Sequence, residues 1–379
     1  MAVNQSYWEK EHFFKFDVII IGSGLVGITA ALSLRSKSNK LKIAILERGF
    51  LPSGASTKNA GFACFGSISE LIEQEISCGT DALHALIKRR WNGLQKLRGL
   101  LGDEAIDFQN NCGYELFKKA EKLASEKSTG KINHFNNLVK DIVNKENVFK
   151  IADNKIGSFG FQGIDTLIEN ELEAQIDPGK MMQVLIQKAA CENIQIFNSC
   201  EVTSIEDNNK YQRIITNNGT YTCSKILVCT NAFAGDLVPG LDLKPGRGQI
   251  IVTSAIPNLK IKGTFHYDKG FYYFRNLDGR LLLGGGRNLD FLTEQTDKFG
   301  QTETIQNALK SLISEVILPG ISFEITHSWS GIMAFGNSIY PIIKKVNDAT
   351  YCAVRCNGMG IAMGAQTGED AAELLFADL

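Results

Sequence analysis

The chain has 379 residues, and its 40 basic and 41 acidic side chains nearly cancel. This length suffices for two or three domains with a large core, and the balanced charge gives no sign of a nucleic acid or an anionic membrane as partner. The nine cysteines include no CxxC pair, and their odd number argues against a closed disulfide framework. We therefore expect reduced thiols in a cytoplasmic protein.

Metal-ligand spacings are not found in this sequence. The five histidines lie far apart, and no HExxH or similar pattern occurs. The sequence therefore predicts no metal site.

The stretch from Phe16 to Arg48 is predicted to form a strand-helix-strand unit. Asp17 to Ile21 is a short β-branched run, Leu25 to Leu34 is a helix of small residues, and Lys42 to Leu46 is a second strand. An alternative is a membrane span or a signal h-region, because Val18 to Leu34 carries no charge. The glycines that cluster after the first strand favour the strand-helix-strand interpretation.

Gly22, Gly24 and Gly27 form a GxGxxG pattern between that strand and helix. The first glycine makes the turn, the second lets backbone approach a pyrophosphate, and the third lets the helix pack on the strand. The helix start presents N–H groups to a diphosphate. Glu47 ends the second strand, where a carboxylate binds ribose hydroxyls and repels a 2′-phosphate. The pattern predicts dinucleotide binding and disfavours NADP.

The loop that follows, GFLPSGASTKNAGFACFGS, is rich in small and hydroxyl residues, and Lys58 is its only charged residue. It precedes a predicted helix at Ile68 to Ile76. Exposed backbone N–H groups and hydroxyls suit contact with phosphate and a flat ring system. We expect a cofactor role; the alternative is an ordinary surface loop.

The next region reads as scaffold. Apolar residues at helical spacing predict an amphipathic helix from Asp81 to Leu101. A strand at Gly113 to Phe117 and helices at Lys118 to Lys127 and Asn133 to Asn144 follow. No chemistry is assigned to this region.

From Asp177 onward the sequence returns to the character of the first unit. Pro178 opens a helix that runs through Ala190, and short strands follow. The hairpin at 211–223 contains Asn218-Gly219, which predicts a type I′ turn. The buried strand KILVCT, Lys225 to Thr230, suggests that the nucleotide domain is discontinuous.

Residues 241–324 are predicted to interrupt that domain again with antiparallel strands. The hairpin from Phe271 to Arg287 turns at Asp278-Gly279. Tyr273 and Arg275 share one face by the two-residue period, so this face lines a pocket for a polar or anionic substrate or, alternatively, places the arginine in solvent. A helix is predicted near Thr302 to Ser314.

The C-terminal stretch repeats the anion-binding arrangement. The strand Tyr351 to Arg355, the glycine pair Gly358 and Gly360, and a helix through Leu375 form a second helix start that accepts negative charge. One chain with two such starts holds a long two-part cofactor, which favours FAD over NAD.

Several motifs in order identify a family. GSGLVG with Glu47-Arg48, GASTKNAGF, IDPGKMMQVL, ILVCTNAFAGDL, LLLGGGR, WSGIMAF and NGMGIAMGAQTGEDAAELL follow one another over about 350 residues. In these motifs the chain resembles the D-amino-acid oxidase (DAO) superfamily of FAD-dependent oxidoreductases, which contains glycine oxidase, sarcosine oxidase and γ-glutamylputrescine oxidase.

The resemblance implies an α/β plus α+β fold. A discontinuous Rossmann-type FAD-binding domain, residues 1–80, 175–240 and 325–379, would be joined to a smaller substrate domain built on an antiparallel sheet, residues 81–174 and 241–324. It also implies FAD contacts at Gly22, Gly24, Gly27, Glu47, Arg48, Ser56, Thr57, Asn59, Ala60, Gly61, Val202, Thr230, Gly331, Gly358, Met359, Gly360 and Ile361. Within this set, the glycine turn would meet the diphosphate and residues 56–61 the isoalloxazine.

The departures from the family pattern limit what carries over. Met333 stands where glycine oxidase and D-amino-acid oxidase have an arginine for the substrate carboxylate. Ala362 and Leu282 stand near the positions of two lysines of sarcosine oxidase. No cysteine follows the tryptophan motif, and Asn59 replaces a histidine that some relatives attach to flavin, so non-covalent FAD is expected.

The sequence therefore predicts an FAD-dependent oxidoreductase that removes a hydride from a carbon bearing nitrogen, giving an imine. The expected partners are a small amine or amino-acid substrate and oxygen or another electron acceptor. Candidate substrate contacts are Tyr273, Arg275, Arg287 and His266. Oxidation of a 2-hydroxy acid or polyol is a second hypothesis, which needs a base such as His266 or His327. A flavin-bearing scaffold without turnover is a third.

Overall fold

A computed structural model describes residues 6–208 and 210–379. The strands over these residues are β1 (Val18–Ile21), β2 (Ile43–Leu46), β3 (Phe62–Ala63), β4 (Gly113–Lys118), β5 (Phe149–Ile151), β6 (Ile164–Asn170), β7 (Ala174–Gln175), β8 (Gln195–Phe197), β9 (Val202–Asp207), β10 (Gln212–Thr216), β11 (Gly219–Cys223), β12 (Lys225–Val228), β13 (Lys244–Thr253), β14 (Thr264–Tyr267), β15 (Tyr272–Leu277), β16 (Arg280–Gly285), β17 (Ile325–Phe335), β18 (Ile342–Lys345) and β19 (Thr350–Val354).

The α-helices over the same residues are α1 (Tyr7–Phe13), α2 (Leu25–Lys37), α3 (Ala55–Lys58), α4 (Ile68–Cys78), α5 (Thr80–Leu101), α6 (Lys122–Gly130), α7 (Ile132–Val143), α8 (Ile156–Phe159), α9 (Pro178–Cys191), α10 (Phe291–Glu294), α11 (Glu303–Leu312) and α12 (Gly360–Phe376). Short 3-10 helices and one π-helical turn, Ile313–Ile317, complete them. Within the described ranges, none of the helices has the length and apolar character that crossing a membrane requires.

The chain divides into two compact units, each built from separate stretches. Unit 1 comprises the residues up to Thr57, Gly179–Pro245 and Met333–Leu379; unit 2 comprises Lys58–Pro178 and Gly246–Ile332. Residues 58–80, which the sequence predicted in the nucleotide domain, lie in unit 2. The reason is that β3 pairs with β7 and that Phe65, Ile68 and Leu71 are buried in a core of unit 2. Unit 2 is consequently the larger of the two.

Unit 1 contains a six-stranded sheet in the order β18-β19-β12-β1-β2-β8. The five strands from β19 to β8 are parallel, and β18 pairs antiparallel with β19 at one edge. All four residues of β1 are buried, as expected for a parallel strand covered on both faces. In chain order the parallel strands read 3-2-1-4-5, which is the Rossmann arrangement.

The first strand-helix-strand unit lies where the sequence predicted it. Strands β1 and β2 pair side by side, with Val18 opposite Ile43. Helix α2 starts at Leu25 and extends to Lys37, past the predicted end at Leu34. The uncharged run Val18 to Leu34 is thus a strand and most of a helix, and not a membrane span.

The hairpin of unit 1 differs from its prediction at the turn. Strands β10 and β11 pair with Thr216 opposite Gly219, so the two loop residues are Asn217 and Asn218. Neither asparagine has the positive φ that a type I′ turn requires. Instead, the Thr216 hydroxyl accepts a hydrogen bond from the Asn218 N–H at 3.1 Å. The predicted Asn-Gly type I′ turn is therefore wrong.

Unit 2 is organised on an eight-stranded sheet in the order β17-β13-β16-β15-β14-β4-β6-β5. From β13 to β5 the neighbouring strands pair antiparallel, as predicted, except β14 and β4, which are parallel. Strands β15 and β16 form the predicted hairpin. Asp278 and Gly279 connect them with φ values of 47° and 73°, the signs of a type I′ turn.

Helices cover this sheet and bury its apolar side chains. The predicted amphipathic helix is α5, and it packs with α4 and α7 around Phe65, Leu83 and Phe135. A second core holds Phe265 and Phe274, whose rings stack at 4.7 Å between centroids. The predicted helix at Lys118 to Lys127 begins later, because Lys118 ends β4 and a 3-10 turn precedes α6.

Candidate functional site

The glycine turn of unit 1 has the close backbone packing of a phosphate-binding loop. Gly22 follows β1 with φ 102°, and a Cβ on it would lie 2.9 Å from the Cys229 carbonyl oxygen. A Cβ on Gly27 would lie only 2.0 Å from the Gly22 carbonyl oxygen. Side chains at these two positions would break the turn and separate α2 from β1. Gly24 precedes the first residue of α2, so the turn leads directly to the positive end of the helix.

Ser56 lies at the start of that helix. Its Oγ accepts a hydrogen bond from the Leu25 N–H at 2.9 Å. Thr57, next in α3, uses its hydroxyl to donate to the Pro52 carbonyl at 2.6 Å. The structure thus groups Ser56 with the glycine turn of unit 1, whereas Asn59, Ala60 and Gly61 belong to unit 2.

The carboxylate of Glu47 connects the two ends of the nucleotide motif. One oxygen accepts from the Ser23 N–H at 3.0 Å and from the Ser23 hydroxyl at 2.7 Å. The other accepts from the Gly49 N–H at 2.9 Å. A carboxylate accepts about four hydrogen bonds, so capacity for one more donor is left. Ser23 was not singled out in the sequence, because nothing local marks its bond to a residue 24 positions away.

Thr230 supplies a test of whether unit 1 fits a bound cofactor. It follows β12, and its Cα lies 3.5 Å from where a Cβ on Gly22 would be. Its hydroxyl oxygen is buried and has no hydrogen-bond partner among the described residues. Leaving a buried hydroxyl unsatisfied costs about 1–3 kcal/mol. A polar ligand in the glycine turn would satisfy it, so the residues present fit a dinucleotide.

The remaining nucleotide candidates lie at edges of unit 1. Arg48 is exposed, with its guanidinium carbon 3.9 Å from the centroid of the Phe233 ring. Val202 is the half-buried first residue of β9.

The C-terminal helix start is held by an arginine that the sequence did not single out. Arg355 is 5% exposed. Its guanidinium donates to the Tyr340 carbonyl at 2.9 Å, the Asp242 carbonyl at 2.8 Å and the Asp242 carboxylate at 2.6 Å. Arg355 has φ 70°, an uncommon conformation for a residue with a side chain. These bonds fix the chain directly before the glycine turn.

That turn then opens α12. Gly358 has φ 80°, and the Met359 N–H donates to the Cys356 carbonyl at 2.8 Å. Gly360 is the first residue of α12, and Ile361 is buried. The sulfur of Met333 lies 3.7 Å from where a Cβ on Gly358 would be. A thioether has no positive charge, so this position provides no clamp for a carboxylate.

In unit 2, Arg275 holds the loop of Asn59, Ala60 and Gly61. It is 4% exposed and donates to the Ala60 carbonyl at 2.6 Å and the Ile176 carbonyl at 3.2 Å. Burial lowers the pKa of Arg275 to about 10, against the opposing effect of nearby aspartates. The Asn59 side chain accepts from the Gly61 N–H at 2.8 Å.

Gly331 lies beside the same loop. A Cβ on it would meet the Lys58 Cβ at 3.1 Å, and Trp329 Nε1 donates to the Lys58 carbonyl at 3.1 Å. The structure therefore brings Gly331 and residues 58–61 together within unit 2, although about 270 positions separate them in the sequence.

Tyr273 and Phe62 form an aromatic face near this loop. Their ring centroids are 5.7 Å apart, edge to face. Burial raises the pKa of Tyr273 to about 12, so its hydroxyl stays neutral, and no hydrogen bond of that hydroxyl to a described residue occurs. Arg287, just after β16, is half-buried with its guanidinium carbon 4.9 Å from the Phe291 ring centroid. Burial lowers the pKa of Arg287.

His266 faces the other edge of Phe62, with ring centroids 5.3 Å apart. Its Nε2 is 2.5 Å from a Glu173 oxygen. Burial by itself lowers the pKa of His266. The carboxylates of Glu173, Glu70 and Glu115 together raise it by more than burial lowers it, and the resulting pKa is about 9. The imidazole is thus a cation near neutral pH. His327 is exposed on β17.

Comparison with known proteins agrees with this geometry. A parallel sheet of Rossmann order with a glycine turn and a terminal carboxylate defines a dinucleotide-binding oxidoreductase fold. The model of the FAD dependent oxidoreductase family, DAO, matches residues 17–374. The chain belongs to this family and is an FAD-dependent enzyme that passes electrons from a small-molecule substrate to an acceptor.

The relatives and solved structures that the chain resembles are distant. It is 24% identical to a probable oxidoreductase OrdL of Rhizobium meliloti (strain 1021), over 95% of this chain and 83% of that protein. It is 23% identical to glycine oxidase of Bacillus licheniformis, over 96% of this chain and 94% of that protein. The structure of L-proline dehydrogenase from P. horikoshii superimposes with a TM-score of 0.75 at 18% identity, covering 96% of this chain and 94% of that one.

Proposed function

We propose that this protein oxidises the C–N bond of an amine or amino acid to an imine, which then hydrolyses. FAD, held without a covalent bond, supplies the hydride acceptor. The protein's own residues bind and orient the substrate and exclude water. The names of the relatives support this substrate class, since glycine and L-proline both carry nitrogen on the carbon that would be oxidised.

The state of His266 is the observation that carries the choice of an amine over an alcohol. Oxidising a hydroxy acid requires a base for the hydroxyl proton. His266 is occupied by Glu173 and, with a pKa of about 9, holds its proton. An amine that binds in its neutral form needs no such base, so the protonated, Glu173-bonded state of His266 disfavours only the alcohol hypothesis.

Tyr273 and Arg287 are the proposed substrate contacts. The Tyr273 hydroxyl is neutral and has no partner among the described residues, so it is available to donate to a substrate. Arg287 brings positive charge to the end of the β15–β16 hairpin. Burial lowers the pKa of Arg287, and its electrostatic interaction with Tyr273 opposes this effect. We place Arg275 in a supporting role, because its guanidinium is bonded to backbone carbonyls.

A reducing compartment is part of the proposal. None of the nine cysteines forms a disulfide bond, and five of them are buried. This state is typical of cytoplasmic proteins.

An anaerobic bleaching screen tests the function. Purified yellow protein is mixed with D- and L-amino acids, primary and secondary amines, 2-hydroxy acids and polyols, and absorbance near the flavin bands is followed. Bleaching by a nitrogen compound, with an imine-derived carbonyl product, is the expected result. Bleaching by hydroxy acids alone would overturn it. Readmitting oxygen then separates an oxidase, whose colour returns quickly, from a dehydrogenase.

A further inference from the structure

Three residues that are far apart in the sequence bring a thiol, a carboxylate and an imidazole together inside unit 2. One ligand atom each from Cys64, Glu173 and His266 lies within 4.8 Å of the other two. The three residues are 4%, 1% and 5% exposed, so the cluster is shielded from water. More than 90 positions separate each from the next, which is why the sequence predicted no metal site.

The strands around the cluster hold its backbone in place. Cys64 follows β3 and Glu173 precedes β7, and these strands pair with Phe62 opposite Gln175 and Ala63 opposite Ala174. His266 lies on β14, where its backbone pairs with Glu115 of β4 and Tyr273 of β15. The three side chains thus extend from backbone that strand pairing holds, and their ligand atoms already lie within 4.8 Å of one another.

A further carboxylate is positioned behind the histidine. Glu70 Oε2 lies 3.8 Å from His266 Nδ1, and its carboxylate is oriented by the Ser67 N–H at 3.0 Å. Histidines that bind a metal usually direct the other ring nitrogen to a carboxylate, which fixes the ring and strengthens the ligand. At 3.8 Å the pair is an electrostatic contact and not a hydrogen bond. Glu70 takes this role when a rotation of the ring closes the gap, with Nε2 left for the metal.

The charges of the cluster also suit a divalent cation. Glu70, Glu115 and Glu173 surround Cys64 and His266, and a hydrogen bond joins His266 Nε2 to Glu173 Oε1. Exchange of the Cys64 thiol proton and the His266 Nε2 proton for one dication leaves the total charge unchanged. The exchange therefore adds no uncompensated charge to a buried region, which would be costly.

We propose that Cys64, Glu173 and His266 bind one Zn²⁺ ion, with Glu70 orienting His266. A mixed set of thiolate, carboxylate and imidazole is typical of zinc. The His266 Nε2 and Glu173 Oε1 atoms, now 2.5 Å apart, must open to roughly 3.4 Å, the separation set by bonds of about 2.1 Å around a tetrahedral ion. Both displaced protons pass to solvent. With zinc bound, His266 is a metal ligand and is still unavailable as a base, so the preference for an amine substrate holds with or without the ion.

The ion would join three distant segments next to the aromatic face. His266 and Tyr273 both pack on Phe62, at 5.3 and 5.7 Å between centroids. An ion bound to His266 stabilises this arrangement and raises the melting temperature, because it binds only the folded chain.

Zinc binding is measured on the flavin-loaded protein. The holoenzyme is treated with a chelator, incubated with one equivalent of ZnCl₂ and gel-filtered, and zinc per flavin is determined. One zinc per chain is expected. X-ray absorption at the zinc edge should show one sulfur at about 2.3 Å with nitrogen or oxygen neighbours. Glu70→Gln should weaken binding about 10- to 100-fold.

Cys64→Ser and Cys78→Ser form a matched pair. Cys78 is a half-buried thiol of the same unit, and its loss should leave zinc retention unchanged, whereas Cys64→Ser should remove the sulfur signal. Wild-type protein that retains no zinc, a zinc spectrum without sulfur, or equal retention by both variants would each overturn the proposal. The wild-type spectrum decides the matter even where Cys64→Ser fails to fold.

Discussion

Ser23 donates two hydrogen bonds to a single oxygen of Glu47, from its backbone N–H at 3.0 Å and its hydroxyl at 2.7 Å. The bond pair joins the glycine turn after β1 to the end of β2, so one carboxylate holds the two ends of the predicted nucleotide motif. Both ends therefore depend on the charge of Glu47.

Glu47→Gln should weaken FAD binding about 10- to 100-fold. The amide replaces one accepting oxygen by a donor, and hydrogen bonds to a charged group are worth about 1.5–3 kcal/mol. Binding is measured by titrating FAD into protein stripped of flavin and following its fluorescence. Glu206→Gln, in an exposed ion pair of the same unit, is the control. Equal affinity of both variants would contradict the assignment.

Arg355→Met should lower the free energy of unfolding by about 2–3 kcal/mol, because it removes charge-assisted bonds to Asp242 and Tyr340. Arg355→Lys should recover less than half of the lost free energy of unfolding. The ammonium group of lysine cannot reproduce the several hydrogen bonds that the planar guanidinium makes. Urea unfolding followed by circular dichroism gives these values. Arg213→Met, which breaks only an exposed pair with Glu206, should cost less than about 1 kcal/mol.

Tyr273→Phe should leave stability within about 0.5 kcal/mol and raise KM for the substrate. Its hydroxyl makes no hydrogen bond to a described residue, so removing it costs the fold little, while a substrate contact would be lost. Steady-state kinetics and thermal melting are compared with Tyr211→Phe, at an exposed tyrosine. An unchanged KM would remove Tyr273 from the substrate site.

Glu169 should make unit 2 sensitive to acid. Burial by itself raises the pKa of Glu169. Lys155 and Lys150 together lower it by more than burial raises it, so the net shift of the pKa is downward. A carboxylate with a lowered folded-state pKa stabilises the fold above its unfolded pKa, and this contribution is lost as pH falls through the folded value. Glu169→Gln should reduce stability at pH 7 by about 2 kcal/mol and flatten the fall from pH 5 to pH 3, measured by urea midpoints. Asp165→Asn, at an exposed position on the same strand, should keep the wild-type slope.

FAD should leave the protein on acid precipitation. The resemblance to the family implies Ile332, Met333 and Asn59 as the positions for covalent attachment, and none of these side chains is a nucleophile. The yellow colour should therefore appear in the supernatant after treatment with trichloroacetic acid. Colour that stays with the precipitated chain would contradict non-covalent binding.

The sequence predicted what local patterns determine. The strand β1, the start of α2 at Leu25 and the hairpin of β15 and β16 follow from β-branched runs, helical periodicity and an Asp-Gly turn, each contained within about twenty residues. The family's motifs then predicted which residues contact FAD, and these contacts stay predictions. The type I′ turn at Asn218-Gly219 failed because the register of β10 and β11 shifts the loop by one residue.

Contacts between distant residues could not be predicted in this way. Arg355 meets Asp242 across 113 positions, and His266 meets Glu173 across 93. The two-residue period of the strand predicted Arg275 as a substrate contact on the sheet face. In the structure its guanidinium donates hydrogen bonds to the Ala60 and Ile176 carbonyls. Such partners are set by tertiary packing, and no periodicity in the sequence indicates them.

The order of strands in unit 1 has a consequence for synthesis on the ribosome. Strand β19 pairs with β12, and α12 packs with α2, yet both C-terminal elements lie within the last thirty residues. The amino-terminal half of the nucleotide fold thus emerges long before its neighbours. Domains generally fold as units, so β1 and α2 complete their packing only after the segments that form β19 and α12 have been synthesised.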